Sequence, residues 1–157
     1  MLHRVGVSNH MRICIALDRL AQPVLWPRCI KEPVMEQRKL VAVVDDDESV
    51  RESLPDALRR IGFAAKAFAS AEEFLASDCI DDARCLILDV NMPGMSGPQL
   101  RRELIRRAHS IPTIFITAQS PESIPPSLLE QGRVECLFKP FSKEDLRAAL
   151  AAALRRT

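Results

Sequence analysis

Four short apolar runs punctuate the chain, and each gives way to a polar residue. Leu40-Val-Ala-Val-Val44 leads to Asp45 and Asp46, and Cys85-Leu-Ile-Leu88 to Asp89. Thr113-Ile-Phe-Ile116 leads to Thr117, and Val134-Glu-Cys-Leu-Phe138 to Lys139. Such runs, rich in Val, Ile and Leu, read as strands covered on both faces. They predict strands at 40–44, 85–89, 112–117 and 134–138, with a weaker one near 64–68. Between them the period becomes helical. Val50, Leu54, Ala57, Leu58 and Ile61 mark one face of a helix near 48–60. Leu146, Ala149, Leu150, Ala153 and Leu154 mark the inward stripe of the last helix. Ser70-Ala-Glu-Glu73 is a capping-box start for a short helix. Ser96 caps another, with Pro98 in its first turn where proline is tolerated, and Ser142 caps the last. Pro55 removes a backbone bond inside the first helix and predicts a kink. Pro121, Pro125 and Pro126 shorten or delay a helix expected near Ser127. Strands alternating with helices mean an α/β fold, a parallel sheet with helices on both faces.

If the strands are parallel neighbours, their carboxyl ends share the sheet edge where open α/β folds bind ligands. Asp45, Asp46, Asp89, Thr117 and Lys139 then converge. Crowded carboxylates repel unless something neutralises them, and a hard divalent cation does so with oxygen ligands. Mg²⁺ suits one or two carboxylates with waters and a phosphoryl group. A carboxylate also serves as a nucleophile, giving an acyl phosphate, while Lys and Thr steady the phosphoryl oxygens. Phosphoryl transfer onto an Asp is the expected event. Plainer roles compete residue by residue: one Asp of 45–47 caps the next helix, Thr suits strands, and Lys suits surfaces. Capping needs a single Asp, and it is the joint placement that these roles leave unexplained.

The segments VVDDDESVRESL, LILDVNMPGMSGPQL, TIFITA and CLFKPF resemble the receiver domain of two-component response regulators, over about Leu40 to Arg155. SAEEFL and DVNMPGMSG resemble receivers of the FixJ/NarL kind. The resemblance implies a flavodoxin-like, CheY-like (βα)5 fold with five parallel strands in order 2-1-3-4-5. It implies Asp89 as phosphoacceptor, and Mg²⁺ bound directly by Asp46 and Asp89, by Asp45 through water, and by the backbone carbonyl of Asn91. Thr117 would bond the phosphoryl group and move toward it, and Lys139 would pair with it, often beside a cis Lys139–Pro140 bond. The side chains of Asn91 and Gln119 would set the phosphoryl lifetime, here an intermediate one, with small Ala118 leaving the site accessible. A histidine kinase or phosphotransfer protein would be the donor, and the first helix often carries the surface that the kinase recognises. An unidentified protein would receive the signal.

Three features depart from the family pattern: Pro55, the prolines before Ser127, and Cys136, where such domains usually carry Tyr or Phe. Without a ring at 136 to turn inward, coupling from Thr117 to the far face would run differently. A phosphorylation-independent interaction module is therefore the alternative reading. An aspartate-nucleophile phosphatase would need a second Asp where Asn91 stands.

The 47% hydrophobic content supports a core, and no apolar run nears the ~18 residues of a membrane span. The five cysteines include no CxxC pair, which argues against a zinc site or a disulfide framework and fits a reducing cytoplasm. Cys79, Cys85 and Cys136 read as buried thiols. Residues 1–39 carry seven Lys/Arg against three Asp/Glu, and residues 40–157 carry fifteen against eighteen. The mildly acidic second part offers no stripe for nucleic acid, and Arg101, Arg102, Arg106 and Arg107 read as the solvated face of a helix. Residues 1–38, with three prolines and little apolar surface, read as a poorly ordered extension or an over-long start ahead of Met35. Residues 39–157 read as the receiver. No helix-turn-helix follows it before Thr157, so a single-domain response regulator, a monomer or weak dimer, is the expectation.

Overall fold

The computed structural model describes residues 38–120, Pro126 and 134–155, all within the compact unit Met35–Thr157. The expectations for residues 1–37 and for a helix start near Ser127 lie outside the described residues. In chain order the elements are β1 (Leu40–Val44), α1 (Glu48–Arg60), β2 (Ala64–Phe68), α2 (Ala71–Leu75), β3 (Ala83–Asp89), α3 (Gly97–Arg106), β4 (Thr113–Thr117), β5 (Val134–Phe138) and α4 (Lys143–Arg155). The five strands form one parallel sheet in the order β2-β1-β3-β4-β5. β3 begins two residues before the apolar run, because Ala83 is drawn into register with Leu40.

Within each apolar run, alternate residues go to opposite layers. Val41 and Val43 of β1, Cys85 and Ile87 of β3, and Ile114 and Ile116 of β4 pack with Leu54 and Leu58 of α1 and Leu146, Ala149, Leu150 and Ala153 of α4. Ala42, Val44, Leu86, Leu88 and Phe115 face the other way, against Ala71 and Phe74 of α2 and Leu100 and Leu104 of α3. In that second layer the Phe68 and Phe74 rings meet edge-on at 5.2 Å. Each large aliphatic or aromatic side chain buried this way contributes about 1.5–3 kcal/mol.

The helix starts are fixed by side chains. Asp47 caps α1, its carboxylate accepting from the Ser49 amide at 2.9 Å and the Ser49 hydroxyl at 2.7 Å, which leaves Asp45 and Asp46 to other work. Ser70 caps α2, but Glu73 reaches back to the Ala69 amide at 2.7 Å rather than to the cap residue itself. Ser96 and Gln99 form a full capping box at α3. Ser142 and Asp145 exchange the equivalent bonds at α4.

α1 runs from Glu48 to Arg60 with Pro55 inside it, at a buried position between Leu54 and Leu58 in the sequence. One expectation needs correction. Arg101 is not on the solvated face: it is 6% exposed, while Arg102, Arg106 and Arg107 are exposed. Gly97, Leu100, Arg101 and Leu104 follow the i, i+3, i+4, i+7 spacing, so helical period places Arg101 in the inward stripe despite its charge.

Candidate functional site

β1 and β3 are central neighbours, and Val44 pairs with Leu88. The chain therefore leaves both strands side by side, at Asp45 and Asp89. β4 adds Thr117 next to β3, and β5 adds Lys139, whose amide donates to the Thr117 carbonyl at 2.8 Å. The Lys139–Pro140 peptide is cis. All five residues singled out in the sequence thus lie at one edge of the sheet.

Asp45 is fully buried. One of its carboxylate oxygens accepts from the Asp47 amide at 2.8 Å, and the other takes the Lys139 ammonium at 3.0 Å. Its backbone carbonyl accepts from the Arg51 guanidinium at 3.0 Å. The same ammonium lies 3.6 Å from the Asp89 carboxylate, which is 8% exposed as a residue. Asp46 is exposed beside them. One oxygen from each of Asp45, Asp46 and Asp89 lies within 4.8 Å of the others. Two of these three carboxylates, those of Asp45 and Asp89, thus share one ammonium.

The consequence falls on Asp89. Burial first, then the charge of Asp45 and to a smaller degree that of Asp46, push its pKa up to about 6 against the pull of Lys139. For Lys139, burial opposes the charge, but the Asp45 bond and the nearby Asp45 and Asp89 charges outweigh it and raise its pKa. Thr117 is buried and its hydroxyl accepts from the Gln119 amide at 3.0 Å, which keeps its own proton for donation. Asn91 is exposed on the loop that follows Asp89. The donors are hard oxygens, the kind a small divalent cation takes.

Residues 41–151 match the model of the response regulator receiver domain. The chain belongs to that family. Nodulation protein W of Bradyrhizobium diazoefficiens is 40% identical to the receiver over 119 residues, covering 76% of this chain and 52% of that protein. Transcriptional regulatory protein FixJ of Azorhizobium caulinodans is 36% identical, covering 74% and 56%. Among solved structures, the FixJ-N crystal structure matches with a TM-score of 0.66 and 37% identity, over 77% of this chain and 97% of that one. Vibrio cholerae CheY4 matches with a TM-score of 0.66 and 28% identity, over 74% and 99%. The chain spans about half the length of the curated relatives it matches. Receivers of this family are phosphorylated signalling modules of two-component systems. Among the described residues of this receiver, no helix is long and apolar enough to cross a membrane.

Four residues that support the site went unassigned in the sequence. Arg51 holds the Asp45 carbonyl, and Gln99 closes the α3 cap. Gly97 lets α3 pack on the Asp89 backbone: a Cβ there would collide with the Asp89 carbonyl oxygen and come 3.3 Å from the Phe115 ring. Glu72 bonds the loop after β3. Gly97 stands in the MSG stretch, where its spacing alone said nothing of a close approach. Cys136 is half-buried, paired in register with Phe115, and burial raises its thiol pKa.

Proposed function

We propose that Asp89 of this receiver accepts a phosphoryl group from a histidine kinase or phosphotransfer protein in the cytoplasm, in a Mg²⁺-dependent reaction. The change of conformation then signals to a partner protein. The observation that carries the reading is the shared ammonium: Lys139 is bonded to Asp45 and stands just beyond bonding distance of Asp89. The acceptor carboxylate is thereby left only partly neutralised in a pocket built of hard donors.

The residues present fit Mg²⁺. Asp46, Asp89 and the Asn91 carbonyl would hold it, with Asp45 through water, and when bound it would neutralise the carboxylates and the phosphoryl oxygens. Asp89 attacks phosphorus as the carboxylate; burial and its acidic neighbours push its pKa up to about 6 in the metal-free pocket, and a bound cation would favour the ionised form. One Asp89 oxygen forms the new O–P bond as the donor's P–N bond breaks, and the donor nitrogen keeps the electron pair. Lys139 pairs with a phosphoryl oxygen, and the Thr117 hydroxyl turns to donate to another. Such charge-assisted bonds are the strong ones. Moving an equilibrium from 1:99 to 99:1 takes about 5.5 kcal/mol, within reach of a few of them.

The donor's route supports this reading. A groove of about 570 Å³ runs between α1 and the start of α4, lined by Val50, Leu54, Ala57, Pro140 and Phe141, and it opens beside Lys139. A phosphodonor protein seated there would reach the lysine of the pocket.

Phosphorylation of the full chain with a small acyl-phosphate donor, with and without Mg²⁺ and read by intact mass, tests the proposal. The expected result is a Mg²⁺-dependent gain of one phosphoryl group that Asp89→Ala lacks. A folded chain that gains none is instead a phosphorylation-independent interaction module.

A further inference from the structure

The loop from Val90 to Ser96 carries Asn91, and it is tied down unevenly. At its start the Val90 amide donates to the Ile116 carbonyl at 3.0 Å, and the Val90 carbonyl accepts from Gly97 at 3.3 Å. Met92 is buried in the layer of α2 and α3. At its end Ser96 belongs to the α3 cap. In the stretch between, Pro93-Gly94-Met95, the Met95 side chain packs on that same layer, and its backbone is held by a side chain of another element. Glu72 of α2, 23 positions earlier, accepts from the Met95 amide at 3.2 Å.

A second observation places the same carboxylate over the turn. Gly94 has φ +74°, and a Cβ at that position would stand 3.1 Å from the Glu72 Oε1. Gly94 therefore serves both the left-handed turn and the close approach of the carboxylate. Glu72 itself is exposed, so neither packing nor a place in the core accounts for it.

We propose that Glu72 is a positioning residue for the cation site: its bond to Met95 steadies the loop that carries Asn91, whose carbonyl the proposed site uses. The inference rests on the Mg²⁺ site proposed above. Groups that orient a ligand from behind typically matter by tenfold or more in metal affinity. The role is that of an acceptor with a set reach, which makes it separable from a role of charge. Glu72→Gln keeps an oxygen at the same reach and loses the charge, Glu72→Asp keeps the charge and loses the reach, and Glu72→Ala loses both.

Mg²⁺ affinity of the full chain, measured by calorimetric titration, separates these cases, with circular dichroism confirming the fold. Glu72→Ala and Glu72→Asp are expected to bind Mg²⁺ about tenfold more weakly, and Glu72→Gln within about twofold of the wild type. A wild type that binds Mg²⁺ and is phosphorylated, while Glu72→Ala matches its affinity, overturns the latch alone. Loss in Glu72→Gln equal to that in Glu72→Ala, with Glu72→Asp unaffected, makes Glu72 a charge and also overturns it. A wild type that takes neither Mg²⁺ nor phosphoryl overturns the proposed function, and the latch with it.

Discussion

Asp45 and Asp89 end adjacent strands of the same sheet, one position beyond a register pair, yet they have opposite surroundings. Asp45 is enclosed and bonded at both oxygens, by a backbone amide and by Lys139. Asp89 has the same ammonium at 3.6 Å and is raised to about 6 by burial and by Asp45 itself. A carboxylate with its bonds made is an anchor, whereas one kept short of partners is disposed to take a new bond. The satisfied residue helps make its neighbour reactive, because Asp45 holds the ammonium while adding to the repulsion.

Removing the short-changed member should show the largest effect. Between the ordinary carboxyl value near 4 and the folded value of about 6, the folded protein binds more protons at Asp89 than the unfolded chain. Its contribution to stability is therefore present below about pH 4 and lost as pH rises through 6. Asn carries no such loss. Asp89→Asn should stabilise the Mg²⁺-free protein by about 3 kcal/mol at pH 7.5, with the gain gone at pH 4. Urea unfolding at the two pH values in chelator reads this, and an equal gain at both would mean that the two carboxylates do not differ in charge environment.

Mg²⁺ should erase much of that contrast. At a hundred times its Kd it should stabilise the wild type by about 2.7 kcal/mol and Asp89→Asn by clearly less. Thermal unfolding across a Mg²⁺ series distinguishes the two, and equal shifts would place the ion elsewhere. Gly97→Ala drives a methyl into the Asp89 carbonyl and should cost about 1–3 kcal/mol. A cost under half a kcal/mol in denaturant melts would show that α3 is free to slide.

The smallest effect should come from the anchor. Asp45→Asn keeps an acceptor for the Asp47 amide and loses the charged bond to Lys139, at a cost of about 1 kcal/mol. It should also bring the Asp89 pKa below 6, as repulsion falls and Lys139 is released toward it. Carboxyl titration by NMR reads that drop, and an unchanged value would leave burial and Asp46 as the causes.

Much of this arrangement was legible because it is written in period and punctuation. β1, β4 and β5 stand where the apolar runs said, and the polar residues closing them meet at one edge. The burial of Arg101 was also written in the helical spacing, but its charge argued the other way and outweighed it. What stayed hidden is contact across the fold. Nothing near Gly97 in the sequence tells of the Asp89 carbonyl behind it, and nothing near Glu72 tells of Met95. Nor could the runs say which of two neighbouring aspartates would secure the ammonium.

That ammonium comes from far along the chain. Asp45 and Lys139 are 94 residues apart, and the lysine follows the last strand to join the sheet. On a ribosome, β1 and β3 emerge long before it, so a chain halted ahead of β5 would hold its acidic edge without a counter-charge. The pocket's electrical balance belongs to the finished receiver, and incomplete copies are left with an edge that repels itself.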